Sequence, residues 1–304
     1  MNRSIMSAGF ATCLVLGQVL ADDSAAIKTL EKSGAIVSRD DAAGDKPVLG
    51  ITYNLLDVTD AGIRALKEIE ELPAIELAGA GNTEIQPALL RSLQGKLTLK
   101  RLSISFAKIT DESAKILATL KNLEALELRT QVDISPTGTN ELLHLTRLKE
   151  LSISDRIVSD ALLVELAKLP NLRKLSVRSV FMTNAGIKAL HHYPNLNSLT
   201  IFAGSAITED GIRSLSELTL ANLELAYSDV TNEKLKALRK FGGLKTMTLM
   251  NAVAVNDEAV PYLSELTELK ELNLADASLT KAGLQQLKQS LPKCNVVIDA
   301  RKRN

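Results

Sequence analysis

Two of the three histidines of this chain, His191 and His192, stand side by side in the stretch NLRKLSVRSVFMTNAGIKALHHYPNL, residues 171–196. Histidine is the commonest metal ligand and titrates near neutral pH, so the pair is the first place to look for chemistry. Adjacent residues on a helix point about 100° apart, which keeps the two imidazoles from sharing one ion. They also align with Ala167 and Lys168 one unit earlier, at ordinary solvent-facing helix positions, and His144 stands alone. No serine lies in a strained glycine turn and no cysteine lies near a histidine, the arrangements that activate a nucleophile. Gly79, Gly81 and Gly95 occur near one another, but no lysine follows at phosphate-loop spacing. The many acidic residues fall in helix starts and solvent-facing slots without converging on a base. The expectation is a non-catalytic protein that uses no cofactor and no metal, the alternative being an enzyme whose site is unrecognised.

Composition narrows the partners. Lys plus Arg and Asp plus Glu both number 36, the net charge is zero, and no long run of one sign occurs. A nucleic-acid binder needs a basic stripe to displace counterions, and a membrane-surface binder needs a basic amphipathic segment. Neither is present, so no nucleic acid is expected. Apolar residues make up 45% of the chain, with no Trp and only 3% aromatic residues. Such a core must be laid down in aliphatic layers.

The N-terminus reads MNRSIMSAGFATCLVLGQVLADDSAA: Arg3, an apolar stretch from Ile5 to Leu20, then Val19-Leu20-Ala21 before Asp22. This pattern predicts a secretory signal over residues 1–21, cleaved after Ala21. The stretch falls short of the roughly 20 apolar residues that span a bilayer, so stable membrane insertion is not expected. The protein is expected to be exported to the periplasm, the cell envelope or the medium. Cleavage removes Cys13 and leaves Cys294, read as a small buried residue near the C-terminal end; one cysteine cannot form an internal disulfide, so packing must supply the stability.

Those elements come from a repeat. Aligned on L-x-x-L-x-L, the chain falls into eight lines, LKRLSISFAKIT, LEALELRTQVDI, LKELSISDRIVS, LRKLSVRSVFMT, LNSLTIFAGSAIT, LANLELAYSDVT, LKTMTLMNAVAV and LKELNLADASLT, at steps of 24 or 25 residues. Two weaker units, around residues 48–63 and 74–85, bring the count to about ten over residues 48–290. Within a unit the L-x-L part alternates like a strand, and the second half spaces its apolar residues at three and four, like a helix. Threonine opens the helices in VTDAGI, ITDESA, ITEDGI, VTNEKL and LTKAGL, where it can cap a free first-turn amide. Pro170, Pro194, Pro292 and Gly242-Gly243 stop them.

One unit cannot bury its own leucines, so neighbours must stack, strands in one parallel sheet and helices behind it. The expected fold is an α/β right-handed solenoid or horseshoe, with a concave parallel sheet on the order of 45 Å long and convex helices. Residues 22–47 are expected to cap the front with a helix, a stop at Gly34 and a strand; residues 291–304 are expected to add a last strand and a solvated basic tail of Arg301, Lys302 and Arg303.

Residues 48–298 resemble the leucine-rich-repeat superfamily, and the ITDxGIxxL phrase is similar to that of F-box-type and exported bacterial repeat proteins. The resemblance implies protein or peptide binding and brings no catalytic residues. That subclass commonly has Cys or Asn after the strand; here Ala107, Gln131, Arg156, Val180, Gly204, Ser228, Ala252 and Ala277 stand there. No polar ladder is expected at that turn.

Strand alternation puts two columns on the concave face. One is mostly small and polar: Glu76, Ser103, Glu127, Ser152, Ser176, Thr200, Glu224, Thr248 and Asn273. Two residues on lie Ala78, Ser105, Arg129, Ser154, Arg178, Phe202, Ala226, Met250 and Ala275. Phe202 and Met250 are apolar where an unused sheet surface would be polar, Arg178 flanks Phe202, and Tyr227 follows in its unit. Aromatic, Met and Arg side chains are what interface hot spots are made of. Arg129, Arg178, Phe202, Tyr227 and Met250 are therefore the candidate partner-binding residues. The competing expectation is a structural or envelope-assembly protein that uses its helices or its ends.

Overall fold

Each L-x-L segment makes one strand, and the strands pair in sequence order into a single twelve-stranded sheet. The computed structural model describes residues 23–43, 46–132, 134–154, 158–179, 181–203, 206–226, 230–239 and 241–298. The signal-like residues, Tyr227 and the basic tail lie outside the described residues. The first six strands are β1 (Ile36–Arg39), β2 (Val48–Asn54), β3 (Ala74–Glu84), β4 (Arg101–Ile109), β5 (Ala125–Val132) and β6 (Glu150–Ser154). They are followed by β7 (Lys174–Ser179), β8 (Ser198–Ala203), β9 (Asn222–Ala226), β10 (Thr246–Met250), β11 (Glu271–Leu274) and β12 (Asn295–Val297). From β2 onward each strand pairs parallel with the next, whereas β1 runs antiparallel to β2.

The helices fall between the strands: α1 (Asp23–Lys32) before β1, then α2 (Asp60–Glu68), α3 (Pro87–Arg91), α4 (Asp111–Leu117), α5 (Pro136–Leu142) and α6 (Asp160–Leu166). The rest are α7 (Asn184–Ala189), α8 (Glu209–Leu215), α9 (Asn232–Leu238), α10 (Val260–Ser264) and α11 (Lys281–Ser290). A helix is about 10 Å wide and strands are about 4.8 Å apart, so the array must curve with its sheet on the inside.

The core is a set of aliphatic ladders. Leu102, Leu126, Leu151, Leu175, Leu199, Leu223, Met247 and Leu272 stand in register across β4 to β11, all buried. Strand alternation turns the intervening residues to the open face. At the N-terminal margin the backbone is knitted in the same rhythm: the Asn197 carbonyl accepts from the amides of Ala221 (2.8 Å) and Asn222 (3.1 Å), and each neighbouring unit repeats the pattern. Tyr193, beside the histidine pair, is scaffold; it is buried and its hydroxyl donates to the Leu163 carbonyl at 2.7 Å. His191 and His192 are exposed on a 3-10 turn, Leu190–His192. Cys294 packs half-buried against the core, and burial, helped by Glu271, pushes its thiol pKa up.

Of the residues expected at the turn after the strand, Ala107, within β4, and Ala252, after β10, are fully buried. A polar ladder does exist, a few residues later, at the helix starts. Asp111 accepts from the Ser135 amide (2.8 Å) and hydroxyl (2.7 Å), Asp160 from the same two groups of Thr183 (2.9 and 2.6 Å), and Asp257 from those of Thr280 (2.8 and 2.6 Å). Asn184 serves Thr208 likewise, accepting from its amide at 3.0 Å and donating to its hydroxyl at 2.8 Å. The first helical residue of one unit thus fixes the N-cap of the next.

Candidate partner-binding surface

Three columns of side chains line the open sheet face. The one nearest the strand starts is charged and compensated: Arg101 reaches Glu150 across β5 at 3.5 Å. Just outside it, Glu124 accepts from Lys149 at 2.5 Å with Lys100 at 3.5 Å, and these ammonium groups hold its carboxyl below the ordinary range. The middle column is knitted laterally, with Ser103 donating to Glu127 (3.2 Å) and Thr200 to Glu224 (3.3 Å).

The third column, nearest the strand ends, differs. Asn54, Ala78, Ser105, Arg129, Ser154, Arg178, Phe202, Ala226 and Met250 stand in register there. Arg178 and Phe202 are directly opposite each other, and the guanidinium carbon lies 4.6 Å from the ring centroid. That is cation–π distance, and the ring leaves the in-plane N–H donors of the guanidinium free. Arg178 is exposed and Phe202 half-buried.

Of the other candidates, Arg129 and Met250 are not gathered with this pair. Arg129 lies two strands away and turns along its own strand to Glu127, Nε to Oε1 2.5 Å, so its charge is already matched. Met250 is half-buried two strands beyond Phe202, with Ala226 between them. Ser105, expected on the open face, is only 4% exposed and its hydroxyl finds no partner among the described residues. Beyond Ser105 the alternation breaks, because three β4 residues span two on β5.

Two exposed aromatic residues were not singled out by the repeat pattern, one of them in that break. Phe106, in the bulge, has a left-handed backbone (φ 53°) and is 58% exposed; Phe181, after β7, is 57% exposed. The available signal was Phe106's alignment with Asn251 and Asp276, types that suit that backbone. A cleft of about 480 Å³ lies at the starts of α8 and α9, lined by Ile207, Thr208, Glu209, Asp210, Thr231, Glu233 and Lys234, with no histidine or cysteine. Among the described residues no group of three or more His, Cys, Asp or Glu could hold a metal ion, and no helix is long and apolar enough to cross a membrane.

No protein-family model and no curated protein matches the chain. Among solved structures it is similar to an internalin from Listeria monocytogenes, at 19% identity over 93% of this chain and 96% of that one, with a TM-score of 0.46. It is similar also to a leucine-rich-repeat protein from Leptospira interrogans, at 14% identity over 79% of this chain and 81% of that one, with a TM-score of 0.44. Likenesses this distant carry nothing about ligands. The architecture stands on the repeat and the strand order themselves: this is an α/β solenoid of leucine-rich repeats.

Proposed function

We propose that this is an exported, non-catalytic repeat protein that binds a protein or peptide on its open sheet face, centred on Arg178 and Phe202. The observation that carries the reading is the 4.6 Å stacking of an exposed arginine on an aromatic ring midway along the row of strands, near their C-terminal ends. A fold gains little from such a pair at its surface, whereas a partner gains both a fixed cation and an apolar contact. The export component rests on Arg3, the apolar run Ile5 to Leu20 and the small-residue site ending at Ala21.

The test is affinity capture from the protein's own extracellular or envelope fraction, with wild type, Arg178→Glu and Phe202→Ser as parallel baits. Loss of the captured partner with both variants, at nearly unchanged thermal unfolding, is the expected result. Equal capture by all three baits removes the sheet face from consideration.

A further inference from the structure

Phe106 occupies a position that its own chemistry opposes twice. A left-handed backbone crowds the Cβ of an L-residue against the chain, and Asn251 (φ 57°) and Asp276 (φ 63°), at the same repeat position, are types that tolerate it. The large ring is also 58% exposed, so it contributes little to the core. In bulges of this kind the left-handed residue is usually glycine, and a bulge re-aims its side chain. Strain of this sort persists at surfaces that contact something else.

Resting on the reading of the sheet face given above, we propose that the partner presents an extended peptide segment. It lies across the strand ends from Phe106 to Met250, with a carboxylate seated on Arg178 and apolar side chains on Phe106 at one end and on Phe202 and Met250 toward the other. Charge complementarity selects the carboxylate. Arg178 is exposed, its register neighbours Ser154 and Phe202 carry no charge, and the other arginine of the column is matched by Glu127. Geometry sets the length: six strand steps from β4 to β10 make about 29 Å, which an extended segment of about nine residues covers. Arg178, three steps along, falls near its middle.

The test is selection of a nonapeptide display library on the full chain, followed by titration of the enriched peptides against Phe106→Asn and Arg178→Glu. Enriched peptides should carry Asp or Glu near the middle and an apolar residue toward an end. Phe106→Asn should weaken them about tenfold or more while its melting midpoint stays level or rises, because asparagine accepts the left-handed backbone. Arg178→Glu should weaken them at least as much and abolish the acidic preference. Unchanged binding to Phe106→Asn, a lowered melting midpoint for that variant, or no acidic enrichment overturns the proposal while leaving the sheet-face reading in place. Failure to enrich any peptide also overturns it, since a folded partner could still engage Arg178 and Phe202. Undiminished binding to Arg178→Glu overturns both.

Discussion

A Cβ placed on Gly186 would lie 2.3 Å from Oδ1 of Asp160, one repeat earlier. The aspartate that fixes the N-cap at Thr183 therefore takes the space a side chain at residue 186 would need. The pattern recurs: Gly138 faces Asp111 at 2.2 Å, Gly211 faces Asn184 at 2.3 Å and Gly283 faces Asp257 at 2.1 Å. Where the preceding helix begins with proline or glutamate, the equivalent positions hold Ser113, Leu162 and Lys234 instead. Asn232, followed by Ala259 on a 3-10 turn, and Asp60, followed by Leu89 after a longer step, do not follow the rule.

Gly→Ala inside a helix ordinarily stabilises by about 1 kcal/mol. Gly186→Ala should do the reverse, destabilising by about 1 to 3 kcal/mol through overpacking against Asp160. Asp160→Ala alone loses the bonds to Thr183, and the double variant should be less destabilised than the sum of the two. Urea unfolding of the four proteins measures this. Gly242→Ala is the control, because a Cβ there meets nothing within 4 Å.

The same ladder makes stability depend on acid. The Ser135 hydroxyl and amide hold the Asp111 carboxyl below its ordinary range, and those of Thr280 do so for Asp257. The folded state then binds these protons more weakly than the unfolded one. The contribution is whole above the ordinary aspartate range and is lost as pH falls through it toward the lower folded values. Asp111→Asn with Asp257→Asn should keep the amide contacts, as Asn184 does, and give a shallower acid limb when melting midpoint is followed against pH.

Leu175 and Leu199 lie at the centre of the longest aliphatic ladder, at 0% and 1% exposure. Either residue changed to alanine should cost about 2 to 5 kcal/mol by denaturant unfolding. A variant that unfolds like wild type would mean that the strand register is misassigned.

The surface pair should behave oppositely. Arg178→Gln and Phe202→Leu, alone and combined, should give a coupling of about 0.5 to 1 kcal/mol in a double-mutant unfolding cycle, the size of an exposed cation–π contact. A coupling of several kcal/mol would mark the pair as structural and weaken its claim as a binding surface.

The repeat carries most of the architecture in its letters, because leucines at fixed steps must stack and strand alternation then assigns each residue a face. The contact between Arg178 and Phe202 follows from the same alignment, being one column read across two neighbouring lines. Three features were not legible. Arg129 stands in the same column as Arg178, but its pairing with Glu127 depends on a rotamer. Phe106 escapes column assignment because a bulge interrupts the alternation on which that assignment rests. The ITDxGI phrase is visible as a helix start, yet Gly186 and Gly283 answer to an aspartate, and Gly211 to an asparagine, in the preceding copy, and only the stacked structure brings them together.

The antiparallel β1 gives the solenoid a polarity at its ends. A second copy placed head to tail would bring β12 against β1, where the strand direction reverses. The parallel hydrogen-bond pattern therefore does not run on unchanged from one molecule into the next: such a joint would be antiparallel, as the pairing of β1 with β2 already is. The single reversed strand thus makes the two ends of the sheet unlike.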